Sequence, residues 1–113
     1  MQSGPIFHEI SVAELNELCK KPGSVQLIDV RETDEYAEFH AAFASNVPLS
    51  RLKLGLDLDK LPKALDTTLY LICRSGKRSA TACSLLHKVG YKNLFNVTGG
   101  MLAWNDESLP MAD

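Results

Sequence analysis

The stretch Thr67–Gly90, TTLYLICRSGKRSATACSLLHKVG, contains the two clearest secondary-structure signals in the sequence. Its beginning is rich in β-branched and apolar residues, which predicts a buried strand over 67–72. Helix-forming residues follow from Ser79, and Gly90 is expected to end that helix because glycine readily adopts the left-handed conformation found after helix C-termini. A strand that leads directly into a helix is half of a β-α-β unit, the building block of parallel sheets.

Strand and helix signals alternate along the rest of the chain as well. Strands are predicted for IFHEI (6–10, at a sheet edge), VQLIDV (25–30, buried), SNVPLS up to Pro48, and NLFNV (93–97). A helix is predicted for VAELNELCKK (12–21), with a capping box at Ser11 and Glu14 before it and a break at PGS (22–24) after it. A second helix is predicted within RETDEYAEFH (31–40), capped at Thr33 or Asp34, and a third around MLAW (101–104). The segment 51–62, RLKLGLDLDKLP, fits either a strand or a loop with one helical turn. This order predicts an α/β fold with a parallel sheet.

Length, charge and cysteine content narrow the class of protein. The 113 residues match one domain, residues 1–113, and the 45% apolar content is typical of a globular protein. A net charge of −2 argues against nucleic acid as a partner, so any basic site has to be local. Three cysteines without CxxC spacing fit neither a disulfide framework nor a zinc site.

The sequence shows no secretory signal and no apolar run near the ~20 residues that span a bilayer. We therefore expect a cytoplasmic protein that does not bind membranes.

Asp29, Cys73 and Thr98 each lie at the end of a predicted strand. In open α/β sheets, ligands bind beyond the carboxyl ends of the strands, so these residues are expected to converge on one crevice. Asp29 and Arg31, in the sequence DVR, are expected to form a structural ion pair or loop-ordering hydrogen bonds rather than to act as acid, base or substrate contact.

The residues around Cys73, ICRSGKRS (72–79), have the composition of an anion-binding loop built around a nucleophile. The thiolate is the reactive form of cysteine, and cations and helix N-termini lower its pKa from about 8.5 into the range of about 3.5 to 7.5. Cys73 precedes a predicted helix, three cations follow it within five residues, and Gly76 allows the loop amides to turn inward. A buried structural cysteine beside surface cations would not account for all of these features together.

Two anion chemistries compete for this loop. Cysteine phosphatases carry Cys-x5-Arg, in which the arginine closes the loop around a phosphoryl group. Counted from Cys73, that position holds Ser79, the arginine comes one residue early at Arg78, and Ile72 stands where a histidine would precede the cysteine. A shorter loop surrounds a smaller cavity, which suits one additional sulfur atom better than a tetrahedral phosphate.

The sequence resembles the single-domain rhodaneses, which are thiosulfate sulfurtransferase-like proteins. LIDVRETDEY (27–36) is similar to the first signature of that family, ICRSGKRSATACSLL (72–86) to its active-site loop and helix, and VTGGMLAW (97–104) to its C-terminal signature. The match runs in order from Ile6 to Leu109. The combination of CRSGKRS with GGMLAW makes the resemblance specific.

This resemblance implies a rhodanese-like fold with a five-stranded parallel sheet flanked by helices on both faces. It implies that Cys73 accepts sulfane sulfur from a donor such as thiosulfate, and that cyanide or a thiol then attacks the persulfide in a ping-pong mechanism. The donor or acceptor could also be a protein, and neither a metal nor an organic cofactor is implied. The persulfide would lie within a binding loop whose cations attract the anionic donor, formed by Arg74, Ser75, Gly76, Lys77, Arg78 and Ser79.

One segment departs from the family pattern. Where the family has Gly-His-Ile-x-Gly-Ala, residues 39–44 read Phe-His-Ala-Ala-Phe-Ala. His40 and Ala44 match that pattern, whereas Phe39 and Phe43 replace its two glycines. This predicts a changed loop beside the active site, with phenylalanines that pack in the core or contact a protein partner. It keeps open an alternative function as a non-catalytic rhodanese-like binding or regulatory module. A cysteine phosphatase or arsenate reductase is a further alternative, disfavoured by the loop length.

Other residues are expected to be structural. Gly99 and Gly100 would form a turn that lets the backbone approach the cysteine loop closely. His40 and His87 have no histidine partner at ligand spacing, so no metal site is predicted. Helix or core packing is expected for the remaining residues with reactive or large apolar side chains: Cys19, Cys83, Met101 and Trp104.

Overall fold

The computed structural model describes residues 5–21, 23 and 25–113. The strands are β1 (His8–Ile10), β2 (Gln26–Asp29), β3 (His40–Ala41), β4 (Ala44–Asn46), β5 (Thr68–Ile72), β6 (Asn93–Val97) and β7 (Met111–Ala112). The helices are α1 (Val12–Cys19), α2 (Thr33–Glu38), α3 (Leu49–Leu52), α4 (Lys77–Val89) and α5 (Gly100–Asp106), with a 3-10 turn at Leu58–Lys60. Among the helices of these described residues, none has the length and apolarity to cross a membrane.

Five strands form one sheet in the order β1-β6-β5-β2-β4, and every neighbouring pair is parallel. The predicted five-stranded parallel sheet is therefore confirmed, with β1 at an edge as expected. β5 lies at the centre, between β6 and β2, so the carboxyl end of the strand that precedes Cys73 is bordered on both sides by other strand ends.

Helices cover both faces of the sheet, as predicted, and each face has its own apolar core. On one face, Leu71 of β5 belongs to a cluster with Leu86 of α4 and residues of α3. On the other face, Ile72 belongs to a cluster with Leu15 of α1 and Trp104 of α5. Successive residues of a strand point to opposite faces, which explains why the central strand is apolar throughout its second half.

The start of α4 differs from the prediction. The helix begins at Lys77 rather than at Ser79, because Gly76 adopts a left-handed conformation (φ 105°) that turns the chain directly into the helix. Its end at Gly90 is as predicted. The earlier start places the first turn of α4, with its unpaired amide groups, four residues after Cys73.

Other boundaries also shift. α2 begins after Glu32, which forms a capping box with Glu35, so a cap at Thr33 or Asp34 was wrong. Segment 51–62 contains the end of α3 and the 3-10 turn but no strand. β4 ends two residues before Pro48, which caps α3. α1 ends at Cys19, and of the predicted break at 22–24, residues 22 and 24 lie outside the described residues.

A small second sheet, which the sequence pattern does not predict, lies outside the main one. β3 pairs antiparallel with β7, with His40 opposite Ala112. The same region is held by Trp104, whose indole Nε1 donates to the Pro110 carbonyl at 2.8 Å. The segment that departs from the rhodanese pattern, 39–44, thus contains a short strand that pairs with the C-terminal segment, and Phe39 and Phe43 lie outside that strand.

Candidate active site

Cys73 follows the last residue of β5, and its side chain is buried, with 1% of the residue exposed. The backbone N–H of Gly76 donates to its Sγ at 3.1 Å, and the Ser79 Oγ lies 3.3 Å from the same sulfur. The left-handed conformation of Gly76 places this amide, since it folds the loop back over the sulfur. The loop between β5 and α4 thereby forms a cradle around Sγ.

Hydrogen bonds make Cys73 more acidic than an ordinary cysteine. Burial is the largest influence and raises the pKa of the thiol, but hydrogen bonds from the Ser79 hydroxyl and from the backbone amides of Ser79, Gly76 and Ser75 together lower the pKa below its usual value. Burial without such donors has the opposite outcome at the other two cysteines. It raises the pKa of Cys83 to about 12 and also raises that of Cys19. Cys73 is therefore the cysteine suited to act as a nucleophile.

The three cations of the loop have different environments. Both terminal nitrogens of Arg78 contact the carboxylate of Glu35 in α2, at 2.7 and 3.0 Å. This guanidinium lowers the pKa of Glu35 to about 2. Arg74 and Lys77, in contrast, have exposed side chains that pair with no group in the described part of the chain. The sequence does not distinguish these cations, whereas the structure leaves only two of them uncommitted.

Asp29 and Arg31 form a buried ion pair. The Arg31 Nε and Nη2 atoms donate to the Asp29 carboxylate at 2.9 to 3.1 Å. The side chain of Asp29 is 0% exposed and that of Arg31 is 5% exposed. Arg31 Nη2 also donates to the Phe39 carbonyl at 2.7 Å. The pair links β2 to the segment after α2, and among the described residues neither side chain is hydrogen-bonded to the loop that contains Cys73.

The start of α5 packs directly on the cysteine loop. The N–H groups of Met101 and Leu102 donate to the carbonyls of Cys73 and Arg74 at 2.8 and 3.0 Å. A Cβ atom at Gly100 would come within 2.3 Å of the Cys73 carbonyl oxygen, so no other residue fits there without displacing backbone. Gly99 precedes it in a left-handed conformation (φ 79°).

Thr98, which also follows a strand, does not contribute its hydroxyl to this site. Its Oγ1 donates to the Glu9 carboxylate on the neighbouring edge strand at 3.0 Å. The three strand ends are therefore neighbours in the sheet as expected, but within the described part of the chain the side-chain hydrogen bonds of Asp29 and Thr98 go to Arg31 and Glu9 rather than to the cysteine loop.

Two residues at the site were missed from the sequence. Asn96 of β6 accepts a hydrogen bond from Ser79 Oγ at 2.5 Å and donates to the Gly76 carbonyl at 3.1 Å. Glu35 is the partner of Arg78. A signal for Asn96 was present, because an amide within the apolar strand NLFNV requires a buried polar partner. No local signal distinguishes Glu35 from the other acidic residues of α2.

A cavity of about 220 Å³ adjoins the loop on the side of Arg74. Phe39 and Leu102, which are 39% and 47% exposed, line this cavity. Phe43, the second phenylalanine of the departing segment, instead lines a separate cavity beside Cys19 and Val25, at the amino-terminal edge of the sheet. Of these two phenylalanines, Phe39 therefore lines the cavity beside the active site and Phe43 does not. The first cavity is lined by Arg31, Glu35, Glu38, Phe39, Arg74, Met101, Leu102 and Asn105.

The described residues contain no group of three or more histidine, cysteine or carboxylate side chains arranged to hold a metal ion. All three cysteines are free thiols. The chemistry that this site supports thus centres on one acidified thiol, a ring of amide donors and two uncommitted cations.

Known proteins resemble this chain in sequence and in fold. The sequence profile of the family described as Rhodanese-like domain matches residues 11–107. A sulfurtransferase of Allochromatium vinosum is 32% identical over 106 residues, which cover 94% of this chain and 95% of that protein. YtwF of Bacillus subtilis, which carries a sulfurtransferase name, is 39% identical over 103 residues, covering 90% and 94%. The crystal structure of a rhodanese-like domain protein from Staphylococcus aureus superposes with a TM-score of 0.78 at 29% identity, covering 95% of this chain and 100% of that one.

Proposed function

Because this chain belongs to the rhodanese-like domain family, we propose that it is a sulfurtransferase that carries sulfane sulfur as a persulfide on Cys73. The observation that carries the proposal is the set of hydrogen bonds to the Cys73 sulfur, led by the Gly76 amide at 3.1 Å. Hydrogen-bond donors that point at the sulfur stabilise a thiolate. In a persulfide they would stabilise the negative charge on the outer sulfur atom, which is one bond away from Sγ. A cysteine that only packs in the core does not require these hydrogen-bond donors.

In the first half-reaction, the Cys73 thiolate attacks the outer sulfur of thiosulfate. A bond forms between the two sulfur atoms, the bond from the outer sulfur to the sulfonate breaks, and sulfite leaves with the electron pair. The negative charge then rests on the terminal sulfur of the persulfide, so the loop amides have an anion to stabilise before and after the step.

In the second half-reaction, a thiophilic acceptor attacks the terminal sulfur. With cyanide, a carbon–sulfur bond forms, the sulfur–sulfur bond breaks, and thiocyanate leaves while Cys73 returns to the thiolate. A thiol acceptor would leave with the sulfur as its own persulfide. Each half-reaction is a displacement at sulfur without net oxidation, so neither a metal nor an organic cofactor is required.

The two uncommitted cations, Arg74 and Lys77, attract the doubly charged donor and stabilise sulfite as it leaves. Burial of Cys73 to 1% limits the reaction to donors and acceptors that are small, or that present sulfur on a narrow projection of a protein. A thiol nucleophile has to stay reduced, so we propose that the protein works in a reducing compartment such as the cytoplasm.

The test is to incubate the protein with thiosulfate and cyanide and to follow thiocyanate, with and without the substitution Cys73→Ser. We expect turnover by the wild type, none by Cys73→Ser, and nearly full turnover by the control Cys19→Ala, which removes a different buried thiol. Mass spectrometry after thiosulfate alone should show one added sulfur atom on the wild type. If the wild type neither turns over nor gains sulfur, the proposal is wrong and a binding module is favoured. Hydrolysis of a phosphoester would instead favour a phosphatase.

A further inference from the structure

The side-chain amide of Asn96 can take only one orientation. One end of it lies 3.1 Å from the carbonyl oxygen of Gly76, and a carbonyl only accepts hydrogen bonds, so this end is the Nδ2 group. The other end is therefore Oδ1, which only accepts. It lies 2.5 Å from Ser79 Oγ, so the hydroxyl of Ser79 is the donor in that contact.

The Ser79 hydroxyl has a single proton but two acceptors within reach. Its oxygen lies 2.5 Å from Asn96 Oδ1 and 3.3 Å from the Cys73 sulfur. While the proton points to Asn96, Ser79 presents lone pairs to the sulfur, which suits a neutral thiol that donates its own S–H. A thiolate has no proton to donate, so Ser79 can bond to it only by turning its proton away from Asn96.

We propose that Asn96 is a positioning residue that holds the Ser79 proton away from the Cys73 sulfur until negative charge develops there. The hydroxyl has an acceptor in both states, but Asn96 Oδ1 loses its donor when the proton turns to the sulfur. This loss favours the state in which Cys73 is a neutral thiol. The second bond of Asn96, to the Gly76 carbonyl, fixes the loop in which the Gly76 amide donates to the same sulfur. The relevance of this switch to sulfur transfer rests on the proposed function, but the switch itself is a property of the thiol.

All three residues are buried, with Ser79 0%, Asn96 5% and Cys73 1% exposed, so water cannot substitute freely for a missing partner. The charged group coupled electrostatically to the sulfur is Arg78, which is in turn coupled to Glu35 and Asp29. Substitutions at Asn96 and Ser79 leave these charges in place, so their effects cancel when variants are compared.

The experiment measures the rate of Cys73 alkylation by iodoacetamide, a neutral reagent, against pH. Asn96→Leu keeps the shape of the side chain but removes the acceptor that competes for the Ser79 proton. We expect its pH midpoint to fall by about half a unit, or roughly threefold more thiolate at a given pH. Ser79→Ala should raise the midpoint, because the thiolate loses a donor. In the double variant Ser79→Ala with Asn96→Leu, the leucine should have no further effect.

A midpoint that is unchanged or raised in Asn96→Leu would overturn the proposal. So would a downward shift that persists in the Ser79→Ala background, since Asn96 would then act by another route, such as the Gly76 carbonyl. Alkylation reports the thiolate whether or not the protein transfers sulfur, so a protein that fails the thiocyanate assay can still pass this test.

A measurement on the wild type avoids dependence on the folding of these variants. The carbon-13 resonance of the Asn96 side-chain carbonyl reports the hydrogen bond from Ser79. We expect this resonance to move with the same midpoint as Cys73 alkylation, and to stay constant with pH in Cys73→Ala. A resonance that does not respond to ionisation of Cys73 would contradict the switch.

Discussion

Arg78 and Glu35 form a bidentate ion pair with N–O distances of 2.7 and 3.0 Å. This ion pair joins the first turn of α4 to α2 beside the cysteine loop. About a third of each side chain is exposed. The pair gives Arg78 a resident carboxylate partner, so an anionic donor has to compete with Glu35 for this guanidinium.

Glu35→Gln should therefore strengthen the binding of anionic donors. Loss of the resident carboxylate frees Arg78 and removes a negative charge, so we expect KM for thiosulfate to fall about two- to fivefold, with a smaller change in kcat. The measurement is steady-state kinetics at fixed cyanide. Glu38→Gln removes an acidic residue of the same helix that also lines the cavity but does not pair with Arg78, and serves as the control. Equal effects of both substitutions would show that only net charge matters.

The same pair predicts how stability depends on pH. The folded-state pKa of Glu35 is about 2, below the ordinary value of 4.5, so the pair stabilises the folded protein fully above about pH 4.5 and this contribution is lost as pH falls toward 2. Wild type should exceed Glu35→Gln in unfolding free energy by about 1 kcal/mol at pH 7, a modest value because the pair is partly exposed. The difference should shrink at pH 3 in urea titrations. A constant difference at both pH values would contradict the role of this carboxylate.

Arg74 and Lys77 should govern attraction of the donor. Arg74→Gln and Lys77→Gln should each raise KM for thiosulfate by about three- to tenfold, with a weaker dependence of kcat/KM on ionic strength, because exposed charges act through a screened field. Lys88→Gln, which removes an exposed cation from the other end of α4, is the matched control. If it has the same effect as Lys77→Gln, the loop has no special role in recruiting the donor.

Gly100→Ala should destabilise the protein strongly. Its Cβ would lie 2.3 Å from the Cys73 carbonyl oxygen and 2.7 Å from backbone atoms of Arg74. We expect a loss of about 2–4 kcal/mol in unfolding free energy, together with loss of activity. Gly55→Ala has the same left-handed strain but nothing within 4 Å of its Cβ, so it should cost only about 1 kcal/mol. Similar losses in the two variants would show that the approach of α5 to the loop is not tight in solution.

Asp29→Asn should leave the Arg31 guanidinium buried without a compensating charge. Breaking one side of such a pair typically costs about 3–5 kcal/mol, and we expect a loss in this range by urea unfolding at pH 7. The exposed pair of Glu17 and Lys20 provides the contrast, because Glu17→Gln should change stability little. A stable Asp29→Asn protein that has lost only activity would reassign Asp29 from a structural to a chemical role.

The sequence was sufficient where local signals determine structure. β5 and the loop that follows it could be predicted because an apolar strand, a cysteine and a glycine lie within ten residues. The predicted start of α4 at Ser79 was wrong because the helix begins directly after the left-handed turn at Gly76. A glycine in the sequence does not by itself show whether the helix starts immediately after it or two residues later. Asn96 and Glu35 were missed because their partners, Ser79 and Arg78, lie 17 and 43 residues away.

The pairing of β3 with β7 could not be predicted for the same reason. Each strand has only two residues, and the partners His40 and Ala112 are close only after the main sheet and α5 have formed. Two-residue strands carry no usable periodicity, since at least four residues are needed to recognise an alternation.

The contacts of α5 with the carbonyls of Cys73 and Arg74 have a consequence for how the protein is made. The cysteine leaves the ribosome well before the residues that surround it, because Asn96, Met101 and Leu102 all come more than twenty residues later. Until these residues have been translated, the loop around the Cys73 thiol is not held in place, and β5 lacks its neighbouring strand β6. The loop around the cysteine is therefore held in place only when β6 and α5 have folded against it.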